Sequence, residues 1–315
     1  MAKKIKGYGR YKKHKYKSKY SKIARRNKKI ADNAVNFIAV LLSIILALLV
    51  LNLMFNKKAG LKADLGDIAA LNISYNDLSA LKELGEEYEI DFPSLLAYYC
   101  AENDFFKGSP VINSKEYIEE NFVKNFSKIK GKYRRKDIKP IENMFETLFA
   151  EIVYFPIPTG FLGEYGDDYT YGNSWGAKRE YGGDRQHLGT DIADKENVRG
   201  RIPIISMTNG VIEHIGWNEL GGYRIGIKTQ AGSYYYYAHL AEFAKGLAVG
   251  SEINAGDLLG VMGDTGYSKK EGTTGNFIVH LHIGICYDAP FSTGEFWLNP
   301  YIFLRDAEQS RLKLD

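Results

Sequence analysis

The sequence contains little cysteine: Cys100 and Cys286 are the only two among 315 residues. Two cysteines cannot form the disulfide framework that stabilises small secreted scaffolds. They fall in segments of different texture, so we expect two free buried thiols and no bridge. A chain of this length can bury a sizeable core in one large domain and a smaller one.

Acidic residues are absent from the first 30 residues, which hold 14 of the 42 Lys and Arg residues of the chain. The other 28 basic residues are outnumbered by 38 Asp and Glu residues. The basic excess therefore belongs to a tail and not to the folded part. Such a tail can bind nucleic acid or an anionic membrane surface, and the segment that follows it decides between the two.

That segment, residues 34–55, is an apolar run interrupted only by Asn36, Ser43 and Asn52. A helix of this length rises about 33 Å, at about 1.5 Å per residue, and a hydrocarbon core is about 30 Å thick. No polar face recurs at helical spacing, which argues against a buried helix of a soluble domain. We therefore predict a transmembrane anchor, a membrane partner for the tail and no nucleic-acid partner.

A cleaved signal peptide is the main alternative for this run. Its apolar region usually spans about 7–15 residues and ends in a small-x-small site, whereas this run is longer and leads into Asn56 and Lys57. Basic residues flanking a span stay on the cytoplasmic side. We therefore predict a single-pass protein of the cell membrane, with residues 1–33 as a basic cytoplasmic tail and the C-terminal part outside the cytoplasm.

Residues 56–155 are predicted to form a linker and a small helical domain. Asn76 or Asp77 can cap a first helix, and Pro93 suits the first turn of the next. Ser114 can cap a third helix, and Pro140 is expected to open a fourth. Together these segments predict a small bundle that buries one face of each helix.

Residues 156–315 differ in composition from the preceding segment, with frequent glycines and short runs of β-branched and aromatic residues. This pattern predicts an antiparallel, all-β domain, so the fold class of the whole chain is α+β with an N-terminal transmembrane helix. Four of the six histidines lie in this domain within three short motifs. They are His187 in a His-x-x-x-Asp spacing with Asp191, His239 after Tyr237 and Ala238, and the pair His280 and His282.

The strand that contains His280 and His282 predicts a site by itself. Side chains alternate between the faces of a strand, so both imidazoles share one face with Gly284, while Leu281 and Ile283 point into a core. Two imidazoles beside a glycine make a poor packing surface and a good metal site. Catalytic zinc commonly takes three His or carboxylate ligands and keeps a fourth position for water, and His187, Asp191 and one strand histidine supply such a set.

The combination of motifs resembles the lysostaphin/LytM-type zinc endopeptidases over roughly residues 170–303. The resemblance runs through residues 181–192, 210–212, 221–223, 237–240, 263–266, 280–282 and 299–301. It implies that His187, Asp191 and His282 bind Zn²⁺, while His239 and His280 assist the metal-activated water and stabilise the transition state. It also implies a compact antiparallel domain whose substrates are the peptide cross-links of bacterial peptidoglycan.

Two other functions stay open at this point. A non-catalytic scaffold or regulator of the cell envelope could use the same domain to bind a partner. A bifunctional wall hydrolase is a minor alternative, because residues 92–105 resemble the helix that carries the acid of lytic transglycosylases, which would make Glu102 a general acid. Asn103 stands where that family usually has serine, and a structural role for Glu102 is the simpler interpretation.

The remaining candidates have structural interpretations. We expect His214 to be a structural or surface residue and Cys286 to be packed in the core. Among residues 234–237, alternation should send half of the tyrosines into the core and leave the others for a groove. Arg185 is a candidate substrate contact because it lies two residues before His187.

Overall fold

The computed structural model describes residues 8–55, 61, 64–108, 112–160 and 168–314. The chain divides into two compact units, residues 1–58 and residues 59–315. The first contains one long helix, and the second contains seven helices and a sheet within the described residues.

Helix α1 runs without a break over Tyr8–Phe55. Its stretch Tyr20–Leu49 is long and apolar enough to cross a membrane by length and composition, and those of its side chains that the structure describes are exposed. The helix also includes most of the basic segment, since Lys and Arg are good helix formers. Membrane anchors and signal sequences share such a helix, so the predicted anchor at residues 34–55 stays a prediction.

The helices of the second unit pack their apolar faces around Leu78, Leu96, Tyr98 and Phe145, which are almost fully buried. Helix α8 follows the sheet, so the C-terminal region is sheet-rich and not all-β as predicted. The bounds of the helices are α2 (Leu65–Ala70), α3 (Tyr75–Glu87), α4 (Phe92–Glu102), α5 (Lys115–Asn121), α6 (Phe126–Lys132), α7 (Arg135–Glu151) and α8 (Tyr301–Ala307), with 3₁₀ turns at Asp104–Phe106 and Val123–Asn125.

Two predicted helix starts are wrong. Helix α3 is capped by Ser74 and not by Asn76 or Asp77, because the Ser74 hydroxyl accepts from the Asp77 backbone N–H at 3.0 Å. Asp77 is turned inward, where its carboxylate accepts from Tyr99 Oη at 2.6 Å. Pro140 lies inside α7 and does not open it. Its missing N–H would have bonded the Lys136 carbonyl, and Lys136 is exposed, so water can satisfy that group.

The predicted antiparallel sheet is confirmed. Its strand order is β1-β4-β11-β8-β7-β6-β9, with β10 paired to β5 and β8 and with β12 paired to β11. Strands β2 and β3 form a separate hairpin. The bounds are β1 (Tyr169–Tyr171), β2 (Lys178–Arg179), β3 (Arg185–Gln186), β4 (Thr190–Asp194), β5 (Pro203–Ile205), β6 (Gly210–Asn218), β7 (Gly222–Lys228), β8 (Tyr234–Phe243), β9 (Glu252–Ile253), β10 (Leu258–Met262), β11 (His280–Tyr287) and β12 (Phe296–Leu298).

One face of the sheet is packed and the other carries the polar side chains. In β11, Leu281, Ile283 and Ile285 are at most 1% exposed, as the alternation predicts. The helices also contact the sheet region: the Asn299 backbone N–H donates to Ala69 O at 2.8 Å. Residues 64–70, which lie in the segment predicted as a linker and helical domain, therefore take part in the folded unit. The boundary between a helical domain and a peptidase domain at residues 155 and 156 stays a prediction.

Candidate metal centre and groove

Strand pairing brings the first two motifs together. In the β4–β11 pair, Asp191 lies directly opposite His282. His187 precedes β4 by three residues, and its ring enters the same side of the sheet. Gly189 leaves room for this arrangement, because a Cβ there would lie 2.4 Å from His282 Cε1. The glycine between the two motif residues is therefore required by the position of the His282 ring.

Three ligand atoms from these residues form a nearly equilateral triangle. His187 Nε2 lies 2.9 Å from His282 Nδ1 and 3.0 Å from Asp191 Oδ1, and the last two atoms are also 3.0 Å apart. Tetrahedral zinc ligands at about 2.0–2.1 Å from the ion lie about 3.3 Å from one another. The triangle is slightly tighter than that spacing, so the three residues fit around one ion with a small expansion.

The hydrogen bonds of the histidines orient their ring nitrogens towards the centre. His187 Nδ1 lies 2.9 Å from Ser174 O, His239 Nδ1 lies 2.7 Å from Thr265 O, and His280 Nδ1 lies 2.7 Å from Ile278 O. A carbonyl oxygen only accepts, so each Nδ1 is the protonated nitrogen and each Nε2 is left for other partners. For His187 this places a free Nε2 beside the Asp191 carboxylate, and two acceptors at 3.0 Å favour a cation between them.

Burial and charge act in opposite directions at the centre. Burial by itself raises the pKa of the Asp191 carboxyl, but its contacts with His187 and His282 outweigh this effect and hold that pKa far below its usual range. Burial lowers the pKa values of His280 and His282, although Asp191 offsets part of this effect. These shifts of Asp191, His280 and His282 favour the protonation states that suit a bound cation near neutral pH, which are an ionised carboxylate and two neutral imidazoles.

His239 reaches the centre because of an irregularity in β8. Along this strand Tyr235 and Tyr237 point into the core, and strict alternation would send His239 there as well. A shift in register against β10 occurs near this position, and His239 has a φ of 63°. This bulge turns the imidazole to the polar face, where its ring centroid lies 4.7 Å from that of His280. Burial and the charges of His280 and His282 lower the pKa of His239 well below its usual value.

His280 lies beside the triangle and not in it. Its Nε2 is 3.7 Å from Asp191 Oδ1, compared with 3.0 Å for His282 Nδ1. In the structure, therefore, His282 and not His280 is the strand histidine that completes the cluster with His187 and Asp191. His239 and His280 stand next to it with free Nε2 atoms, within reach of a water or a substrate atom at the centre.

A groove of about 760 Å³ extends from the cluster across the sheet. Tyr234 and Tyr236 form part of its lining, with Trp297 ring-to-edge against both at 6.2 Å. Two glycines leave room for the aromatic rings that form the floor of the groove. A Cβ on Gly226 would overlap the Tyr234 phenol, and a Cβ on Gly284 would lie 2.8 Å from the Trp297 ring. The expected division of the tyrosines between core and groove is confirmed.

A second aromatic group bounds the other side of the cluster. Phe277 contacts the rings of His239 and His280 at 4.6 and 5.0 Å, and Tyr267 stacks on Tyr181 at 4.6 Å. Arg185 donates to Tyr267 Oη at 3.0 Å, so it supports this wall and also lines the groove. The wall comes from loops, and no periodic signal in the sequence indicated it.

Other sequence candidates lie farther from the centre. Cys286 is half-buried and lines the groove on the same face as His282, so the expectation of a core position is wrong, because residues four apart on a strand share a face. His214 lies at the edge of the groove and contacts Tyr234 Oη at 3.1 Å. Glu102 ends α4 and accepts from Lys132 Nζ at 2.6 Å, and it does not line the groove.

Arg179 is a neighbour of the cluster that the sequence did not indicate. It lies in β2, and its guanidinium hydrogen-bonds Asp191 Oδ2, the carboxylate oxygen outside the triangle. The contact orients Asp191 so that Oδ1 faces the two histidines. Such outer partners commonly set the geometry of metal ligands. A lone arginine twelve residues before a ligand carries no pattern from which this role could be predicted.

A His–Asp–His cluster with free histidines beside it is the donor set of metal-dependent hydrolases. Comparison with known proteins agrees: residues 185–291 match the model of peptidase family M23. The chain is similar to the crystal structure from Ruminococcus gnavus ATCC 29149 that bears the name glycyl-glycine endopeptidase LytM. The two share 37% sequence identity with a TM-score of 0.62, over 79% of this chain and 92% of that one.

The chain is also similar to the L-Ala–D-Glu endopeptidase of Bacillus subtilis strain 168, with 37% identity over 184 residues. This match covers 56% of the chain, and the chain spans about half, 52%, of the length of that relative. The chain belongs to peptidase family M23, in the LytM and lysostaphin-type group. The resemblance noted in the sequence is thereby confirmed.

Proposed function

We propose that the protein is a zinc endopeptidase that hydrolyses peptide links of bacterial peptidoglycan through a metal-activated water. The observation that carries the proposal is the triangle of His187 Nε2, Asp191 Oδ1 and His282 Nδ1, with sides of 2.9–3.0 Å at one end of a groove. Membership of family M23 supports the same chemistry.

His187, Asp191 and His282 would hold the ion. Zinc in such a site supplies Lewis-acid activation and lowers the pKa of water from about 15.7 towards about 7. Arg179 keeps Asp191 oriented, and the carbonyl of Ser174 keeps the His187 ring in place. Two neutral imidazoles and one ionised carboxylate around a divalent ion would leave one net positive charge, which would favour negative charge developing on a peptide carbonyl oxygen.

His239 and His280 would handle protons. The lowered pKa values of both imidazoles keep them neutral at pH 7, so a free Nε2 can accept a proton from the attacking water. Once protonated, the same nitrogen can donate that proton to the leaving amine or to the developing oxyanion. The hydrogen bonds from Nδ1 to Thr265 O and Ile278 O hold the rings in this orientation.

The groove suits an extended peptide. Strand β11 rises about 13 Å from His282 to Cys286, at about 3.3 Å per residue. This distance matches the length of about four residues of an extended peptide. The aromatic floor offers apolar contact and few competing hydrogen bonds. The relatives are named for two different links, L-Ala–D-Glu and Gly–Gly, and we propose that the substrate is a peptide link of one of these wall types.

We further propose the arrangement in the envelope: a cytoplasmic tail at residues 1–33, a membrane anchor at residues 34–55, a linker and helical domain at residues 56–155 and a peptidase domain at residues 156–315 outside the cytoplasm. The 14 basic residues before the apolar run support this orientation. A cleaved signal sequence would place the peptidase domain on the same side without an anchor.

The test is digestion of purified peptidoglycan by the full chain in detergent, with the released fragments identified by mass and by new amino termini. The expected result is a new amine at a single type of peptide link. The Asp191→Ala variant should release nothing above background, because it lacks one member of the triangle. Intact wall after incubation with the zinc-loaded wild type, or equal release by the variant, would refute the proposal.

A further inference from the structure

The arginine side chains that line the groove differ in whether other residues of the protein form ion pairs or hydrogen bonds with them. Arg179 is bound to Asp191, and Arg185 donates to Tyr181 O and Tyr267 Oη. Arg224 also lines the groove, but no carboxylate lies within 4.0 Å of it among the described residues. Its Nη1 is buried and has no hydrogen-bond partner in the described part of the chain. A buried N–H without an acceptor costs free energy, so the described residues leave the hydrogen-bonding capacity of this guanidinium incompletely used.

The strand register places Arg224 in line with the metal cluster. Strand β8 lies between β11 and β7, and its Ala238 is paired with His282 of β11. The pairing of β7 with β8 shifts in register between Tyr223 and Ile225. Arg224, which lies at this shift, is therefore opposite Ala238 and the residue after it. Two strand spacings of about 4.8 Å separate the backbones of Arg224 and His282. Arg224 and His282 also line the same groove, so the substrate segment that lies across these two rows would be within reach of the guanidinium.

The acidic residues of the groove do not neutralise this charge. Glu295 accepts from Trp297 Nε1 at 2.9 Å, and Glu213 lies 3.9 Å from His214 Nδ1. The positive charge of Arg224 does reach the groove floor. Burial raises the pKa of Tyr234 to about 12, and Arg224 offsets part of that rise; it acts in the same direction on the pKa of Tyr236. The charge of Arg224 is therefore within electrostatic reach of the aromatic floor, and the carboxylates that line the groove do not cancel it.

We propose that Arg224 determines specificity by pairing with a carboxylate on the substrate residue adjacent to the cleaved link. This inference rests on the proposed peptidase function and adds to it that the substrate is acidic beside that link. Arginine suits the role, because its planar donor pair matches a carboxylate and stays charged at every physiological pH. Lys228 lies four residues farther along the same face, about 13 Å away, and is too distant to replace it.

The test uses two synthetic wall-stem peptides that are identical except for a free carboxylate or a carboxamide on the residue adjacent to the cleaved link. With the zinc-loaded full chain, kcat/KM should be about 10- to 100-fold higher for the acid than for the amide, as expected for a charge-assisted pair. Arg224→Gln should remove most of this ratio by slowing the acid, with the amide still cleaved. Arg224→Lys should keep part of the ratio, and Lys228→Gln should retain it.

The outcomes separate the inference from the function on which it rests. A wild type that cleaves both peptides equally well, or an Arg224→Gln variant that keeps the wild-type ratio, overturns the inference and leaves the peptidase function standing. A wild type that cleaves neither peptide and no peptidoglycan overturns both. If Arg224→Gln does not fold, as judged by its thermal transition, the ratio for Arg224→Lys decides, and an unchanged ratio there also overturns the inference.

Discussion

Replacement of Gly189 by alanine should disrupt the metal centre without touching a ligand. The added Cβ would lie 2.4 Å from His282 Cε1 and 2.6 Å from His282 Nε2, and 2.5 Å from the Ile283 carbonyl oxygen. Non-bonded carbon atoms prefer about 3.5–4.0 Å, so the His282 ring or the backbone must move by about 1 Å. Metal–ligand distances hold within about 0.2 Å. The movement is therefore several times larger than the site tolerates.

We expect Gly189→Ala to lower zinc affinity by about 10- to 100-fold or more, the range seen when residues that support ligands are changed. Competition with a chromophoric chelator measures the affinity, and the thermal transition of the metal-free chain checks the fold. Gly172→Ala is the matched control, because a Cβ there meets no atom within 4 Å. A Gly189→Ala protein that folds and binds zinc as tightly as the Gly172→Ala control would refute this account of the centre.

Three further predictions follow from the site and from the N-terminal helix. His239→Ala should keep its zinc and lose about 10²- to 10⁴-fold in wall cleavage, as expected for loss of a proton-handling group; cleavage at the wild-type rate, measured as muropeptide release, would exclude that role. The free energy of unfolding of the metal-free chain should be highest above about pH 6.5, the unperturbed pKa of His, and should fall as the pH drops. Folding lowers the pKa values of His239, His280 and His282, so protons bind the unfolded state more tightly and favour unfolding at lower pH. Denaturant midpoints that stay constant from pH 7.5 to pH 5 would contradict this. Protease added to cells whose wall it can penetrate should degrade the domain beyond residue 58 and spare the basic tail, and protection of that domain would show that the orientation is wrong.

The sequence predicted the site best where a strand period applied. Alternation along β11 placed His280 and His282 on one face and Leu281 and Ile283 in the core, and the structure has this arrangement. The same rule predicts that half of the tyrosines at residues 234–237 lie in the core, and the structure buries Tyr235 and Tyr237. The alternation follows from the strand period, and the packed face of the sheet fixes which residues are buried.

Features that depend on local irregularity could not be predicted from a strand period, and only the family resemblance indicated His239. His239 reaches the centre through a left-handed residue in a bulge, and neither Ala238 nor Leu240 marks such a turn. Arg179 and Phe277 come from separate segments that only the tertiary fold brings to the cluster. The start of α7 was predicted wrongly because Pro140 was expected at the first position of the helix. The helix tolerates this proline in its interior because the backbone carbonyl that loses its hydrogen bond lies in an exposed turn, where water can bond to it. A rule based on the local sequence does not include that contribution of solvent.

The central claim, that one ion held by His187, Asp191 and His282 is required for wall cleavage, is tested most directly by zinc titration. The full chain is freed of metal with chelator, and muropeptide release is measured as zinc is restored. Release should be absent from the metal-free protein, rise in proportion to added zinc and reach its maximum at one equivalent per chain, the capacity of this triangle. Cleavage that persists in the metal-free protein, or that does not return with zinc, would contradict the claim.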